Sequence, residues 1–105
     1  MAVDAGYRDY VMELLAPLGG VSGRAMFGSY GIYRDGVIFA IISSDSKLYF
    51  KVDDSNRPRY ESAGAEPFVP RPKLVMPYYE VPADVVEDHE ALIEWARSAV
   101  VAGTR

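Results

Sequence analysis

Asp35-Gly36 sits between two runs of strand-forming residues, Tyr30-Gly31-Ile32-Tyr33-Arg34 and Val37-Ile38-Phe39-Ala40-Ile41-Ile42. A two-residue loop joins antiparallel strands without splaying them only when both central residues take positive φ, and Asp-Gly does so at low steric cost. The pair therefore predicts a tight hairpin, and a sheet in which neighbours in sequence are neighbours in space. With 105 residues, half of them apolar, the chain has enough material for a single core and too little for two. We read residues 1–105 as one domain.

Around the hairpin the pattern alternates between helix and strand periods. Asp4 is placed to cap an opening helix whose apolar stripe is Val3, Tyr7, Val11, Leu14, Leu15 and Leu18, ended by Pro17 and Gly19-Gly20. The run Arg24-Ala25-Met26-Phe27 breaks at Gly28-Ser29 and resumes at Tyr30, giving one bent strand or two short ones, with Gly28 and Gly31 marking a backbone irregularity. Val37–Ile42 is apolar throughout, as in a central strand covered on both faces. Ser43–Ser46 forms the turn into Leu48–Val52, whose Leu48, Phe50 and Val52 face inward. A short helix follows, with Asp54 or Asn56 as its cap, Pro58 in its first turn, Tyr60 and Ala63 on the sheet and Gly64 beyond its end. Glu66–Val69 and Val75–Val81 read as two more strands joined across Pro70-Arg71-Pro72-Lys73, and Pro82–Asp88 as a turn or single helical turn. Asp88 caps a last helix with the stripe Leu92, Trp95, Ala96, Ala99 and Val100, stopped by Gly103. The expectation is an α+β fold with a mainly antiparallel sheet of about five strands and the order α, three or four β, α, two β, α.

Composition removes several classes of chemistry. The absence of cysteine excludes disulfides, thiolate metal sites and a cysteine nucleophile. His89 is the only histidine, and among acids at a helix start it reads as an exposed first-turn residue. Asp53-Asp54 and Glu87-Asp88 read as helix caps rather than cation ligands. GSYG at Gly28–Gly31 has the spacing of a backbone-clamping loop but precedes a strand, so it reads as a bend. Neither GxGxxG nor a P-loop occurs, and no cofactor, metal or catalytic residue is expected. The acidic start lacks the basic and apolar regions of a signal peptide, and the longest apolar run is Val37–Ile42, so a cytoplasmic protein without membrane contact is expected.

A net charge of −4 argues against duplex nucleic acid as the main partner. The charge is uneven, however. Glu80, Asp84, Glu87, Asp88, Glu90 and Glu94 run without an intervening base, whereas Lys51, Arg57, Arg59, Arg71 and Lys73 cluster mid-chain. Eight tyrosines, most of them in or beside strands, suit a half-buried sheet face or an interaction surface. Adjacent Tyr78 and Tyr79 must point to opposite sides of a strand, which offers one of them to solvent.

The Arg24…Met26-Phe27-Gly28…Gly31 segment, the Asp35-Gly36 hairpin, Leu48-Tyr49-Phe50-Lys51-Val52-Asp53, Gly64…Pro67-Phe68 and Met76-Pro77-Tyr78-Tyr79 together resemble the TfoX N-terminal domain family. The resemblance spans nearly the whole chain, with Gly28-Ser29 where the family usually shows paired glycines. It implies a standalone N-terminal domain with an α+β fold akin to secretion-chaperone-like domains. It also implies a non-enzymatic relative of a regulator of natural competence that acts on transcription through partners; longer members carry a second, helical domain.

The expected function is a protein-interaction module with an unidentified protein partner, a homodimer being open. The candidate interaction residues are Arg24, Arg57, Arg59, Arg71, Lys73, Tyr78 and Tyr79. Two alternatives stay open. One is nucleic-acid binding through the local Arg/Lys patch, and the other is a small-anion or small-ligand site between sheet and helix held by Arg24 and tyrosines.

Overall fold

Asp35 and Gly36 both take positive φ, 50° and 86°, and Arg34 pairs directly with Val37 across them. In this computed structural model, which describes residues 3–104, the hairpin is the centre of a five-stranded antiparallel sheet. The strands are β1 (Val21–Met26), β2 (Ser29–Arg34), β3 (Val37–Ile42), β4 (Leu48–Lys51) and β5 (Tyr78–Glu80), in spatial order β1-β2-β3-β4-β5. Every connection joins adjacent strands, so the sheet is a simple meander. The helices are α1 (Ala5–Leu15), α2 (Arg57–Ser62), α3 (Ala83–Val86) and α4 (His89–Thr104), with a 3₁₀ turn at Ala16–Leu18.

Capping follows the residue chemistry. The Asp4 carboxylate accepts the Tyr7 N–H at 2.9 Å and that of Asp88 accepts the Ala91 N–H at 3.2 Å, so each satisfies an orphan donor at a helix start. Asn56 occupies the cap position of α2, but its side chain serves other groups. It accepts the Asp53 N–H at 2.8 Å and donates to the Lys51 carbonyl at 3.2 Å and Ser98 Oγ at 3.4 Å, tying the end of β4 to α4.

The two faces of the sheet differ. Buried helix residues, among them Val11, Leu15, Tyr60, Val85, Leu92 and Ala96, pack with Ile32, Phe39, Ala40, Ile42, Leu48 and Phe50 in one cluster. On the other face a smaller cluster of Ile41, Tyr49, Phe68 and Tyr78 carries no helix; its cover is the segment 66–77. The continuous apolar run of β3 now has a geometric reason. Ile32 faces Ala40 but Tyr33 faces Ile38, so Phe39 is the extra residue of a β-bulge. The bulge brings Phe39 and Ala40 to the helix side together and leaves Ile38 and Ile41 for the open side.

Four expectations change. The break at Phe27-Gly28 is a second two-residue hairpin turn, with φ of 48° and 81°, which decides for two short strands and for the irregularity at Gly28; what changes is that β1 starts at Val21 rather than Arg24 and that the bulge falls at Phe39 rather than Gly31. Residues 66–69 make only an isolated bridge, Pro67 to Tyr79, and Val75–Val81 contracts to Tyr78–Glu80, because Pro67, Pro70, Pro72 and Pro77 cannot donate to a ladder. Ala63 is exposed, and Ala65 packs against the core instead. Gly103 does not stop α4, which runs on to Thr104. A Cβ there would lie 2.6 Å from the Ile38 carbonyl oxygen, so glycine permits the close approach of α4 to β3.

Candidate interaction surface

Strand alternation decides what the open face of the sheet displays. Arg24 pairs with Gly31 and Ser22 with Tyr33, so Ser22, Arg24, Met26 and Tyr33 project to the side opposite Ile32. On the same side lie Ile38 and Ile41 of β3, Tyr49 and Lys51 of β4, and Tyr78 of β5. Gly31 keeps this face flat: a Cβ there would sit within 3.3 Å of side-chain atoms of Ile38, Tyr33 and Met26.

Two cations frame the apolar floor. The Arg24 guanidinium lies 5.6 Å from the Tyr33 ring centre and Lys51 Nζ lies 5.1 Å from that of Tyr78. Burial pushes the Tyr78 hydroxyl up from its ordinary value, with neighbouring Tyr33 adding to the effect. Tyr49, against Phe68 with ring centres 4.8 Å apart, is likewise pushed up, first by burial and then by the charge of Glu80. These phenols stay neutral at physiological pH, so the face presents hydroxyls and cations rather than phenolates.

The candidate residues divide between three places. Arg24 stands on the open face. Arg57 and Arg59 project from α2, where Arg57 contacts Asp54 at 2.6 Å and Arg59 reaches Glu94 at 3.7 Å and stacks on Trp95 with its guanidinium 4.9 Å from the ring centre. Arg71 and Lys73 are exposed in the proline-rich segment, Lys73 with φ of 68°. Tyr78 and Tyr79 do point to opposite faces, yet neither is free: Tyr78 is 3% exposed beneath Lys51, and half-buried Tyr79 packs against Tyr60. Arg57 and Tyr79 share a shallow hollow of about 250 Å³ with Val52, Val75, Met76 and Pro77. Arg24 lines neither this hollow nor the larger ones beside α3 and the Ser43–Asp45 turn.

The sequence pattern singles out neither Phe27 nor Tyr33 as a surface feature, and it places Lys51 in the mid-chain basic cluster but not among the candidate interaction residues. Phe27 is fully exposed at the β1–β2 tip, and its signal was the X-Gly step between two strand-like runs, the same signal as Asp35-Gly36. His89, exposed as expected, brings Nε2 to 3.1 Å from the Leu14 carbonyl and so links α4 to the end of α1. No group of three or more metal-ligating side chains occurs among the described residues, and none of their helices is long and apolar enough to cross a membrane.

A search of curated proteins returned no match. The sequence profile of the TfoX N-terminal domain matches residues 13–102, from the last turn of α1 to the last turn of α4, and the chain belongs to that family.

Proposed function

We propose that this domain is a non-enzymatic, cytoplasmic interaction module that contributes to gene regulation by contacting a protein through the helix-free face of its sheet. The observation that carries the reading is that face itself: an apolar floor of half-buried Ile38 and Met26, beside the covered Ile41, framed by the Arg24–Tyr33 and Lys51–Tyr78 pairs. Tyrosine, methionine and arginine are enriched in protein interfaces because they offer apolar area with a polar handle. The family supports a regulatory setting. The non-enzymatic part rests on chemistry, for the one imidazole is held by a backbone carbonyl and has no nucleophile as its partner.

A second reading, single-stranded nucleic acid stacked on the same face, draws on the two cation–aromatic pairs. It is the weaker of the two because stacking needs accessible rings and Tyr78 is buried. A photo-crosslinking amino acid in place of Tyr33, compared with one in place of Glu90 on the acidic helix, tests both. Protein adducts specific to position 33 are the expected result. Adducts to nucleic acid, or equal yields at the two positions, would overturn the proposal.

A further inference from the structure

We infer that the exposed edge of β1 is a self-association site, at which two copies of this chain pair antiparallel and extend the sheet across a two-fold axis. The inference does not rest on the regulatory reading: it uses the outward backbone groups of β1, although Arg24 and Met26 also belong to the open face.

The two edges of the sheet are treated unequally. At the β5 edge, strand length is three residues and the outer groups are taken: the Phe68 N–H donates to the Tyr78 carbonyl at 2.8 Å and the Glu80 N–H to the Glu66 carbonyl at 2.9 Å. At the β1 edge, six residues, Val21-Ser22-Gly23-Arg24-Ala25-Met26, carry no proline, no bulge and one charge, and Ser22 to Ala25 are all exposed. Natural sheets normally blunt such an edge.

Hairpin geometry fixes which groups point out. Met26 and Ser29 flank a two-residue turn and so exchange hydrogen bonds, as do Arg24 with Gly31 and Ser22 with Tyr33. The Asp35 N–H bond to the Gly20 carbonyl, 2.9 Å, continues the same phase. The N–H and C=O groups of Val21, Gly23 and Ala25 therefore face away from β2.

Only one two-fold register joins all three. Gly23 opposes its own copy and Val21 opposes Ala25. Ser22 then faces Arg24, whereas a shift by one residue in each copy would set Arg24 against Arg24. The same register lays Phe27 over Gly19 and Gly20 of the second copy. Phe27 is fully exposed and held at a φ of 48°, an unfavourable place for a bulky side chain unless something covers it, and Gly19 has open space where a Cβ would project. The contact is isologous and closes on itself.

Sedimentation equilibrium from micromolar to millimolar chain is expected to show a monomer–dimer equilibrium. Ala25→Pro deletes an outward donor without touching the β1–β2 ladder and is expected to abolish the dimer. Phe27→Asn suits the backbone conformation, and so leaves the fold intact, while weakening association at least tenfold. Because the chain has no cysteine, Ser22→Cys and Arg24→Cys give a register test. Facing Cα atoms in a non-hydrogen-bonded pair lie ~4.5 Å apart, within disulfide range. Oxidation of an equimolar mixture is expected to yield far more covalent dimer than either variant alone. A monomer at all concentrations, a dimer indifferent to Phe27→Asn, or a mixture that crosslinks no better than its components would each overturn the inference.

Discussion

Gly36 and Gly103 show two different reasons for the same residue. At Gly36 a Cβ would meet nothing within 4 Å, so the constraint is the φ of 86° alone; Gly36→Val is expected to cost about 1–2 kcal/mol, the penalty for a side chain in left-handed backbone. At Gly103 the constraint is contact, since the added methyl would press on the Ile38 carbonyl; Gly103→Ala is expected to cost about 1–3 kcal/mol despite alanine's better helix propensity. Urea unfolding of both variants checks the values. Tyr60 poses the opposite case. Its ring is fully buried, between Tyr79 and Trp95, and its hydroxyl has no hydrogen-bond partner. Removing an unsatisfied polar group leaves nothing unpaired, so Tyr60→Phe is expected to be neutral or stabilising, and a loss above ~1 kcal/mol would mean the hydroxyl is satisfied. Burial also raises its ionisation far above the ordinary 10.0. A raised folded-state value gives stability that is whole below pH ~10 and lost as pH rises beyond it, because the unfolded chain releases the proton first. The alkaline fall in melting temperature is therefore expected to be shallower in Tyr60→Phe than in the parent.

Elements were most legible where turn chemistry and period agreed. The Asp4 and Asp88 caps, the Asp35-Gly36 hairpin and the inward alternation of Leu48, Phe50 and Val52 all follow from local rules, and the structure has them. Two features needed information that sequence does not carry locally. The bulge at Phe39 hides inside a run that is apolar at every position, so periodicity cannot place it. The helix-free face is visible only once Tyr33, Lys51 and Tyr78, from three strands, are in register. Trp95 illustrates the same gap. The stripe of α4 predicts a largely buried ring against α1 or the sheet, but the indole is half-buried and held by α2, edge-on to Tyr60 at 4.8 Å and beneath Arg59. Trp95→Ala is accordingly expected to cost about 2 kcal/mol rather than the ~3–5 kcal/mol of a core tryptophan. Denaturant titration followed by circular dichroism checks this, and native indole emission is expected between that of buried and fully hydrated tryptophan.

At the scale of the whole molecule, charge placement decides how the domain meets nucleic acid. The net charge is −4, and the acids of α3 and α4, Asp84, Glu90 and Glu94 with Glu87 and Asp88 between the helices, form an exposed acidic stretch. Binding to phosphate gains free energy by releasing counterions from many simultaneous Lys and Arg contacts. Here Arg57 and Arg59 already face Asp54 and Glu94, which lowers the field they project, and Arg24 and Lys51 lie over tyrosine rings. A focused patch can outweigh an unfavourable total when its charges converge in a cleft, but these cations are spread over α2, β1, β4 and the proline-rich segment. The purified domain is therefore expected to bind labelled duplex at near-physiological salt no more tightly than the ~10⁻⁴–10⁻⁶ M of non-specific association. Reversing Arg24, Lys51 and Lys73 to glutamate leaves the Asp54 and Glu94 contacts in place and is expected only to weaken that salt-sensitive background further, with no tight binding to lose. Submicromolar binding lost on the reversal would show that the cations act together on nucleic acid, and the protein-contact reading of the open face would fall with it.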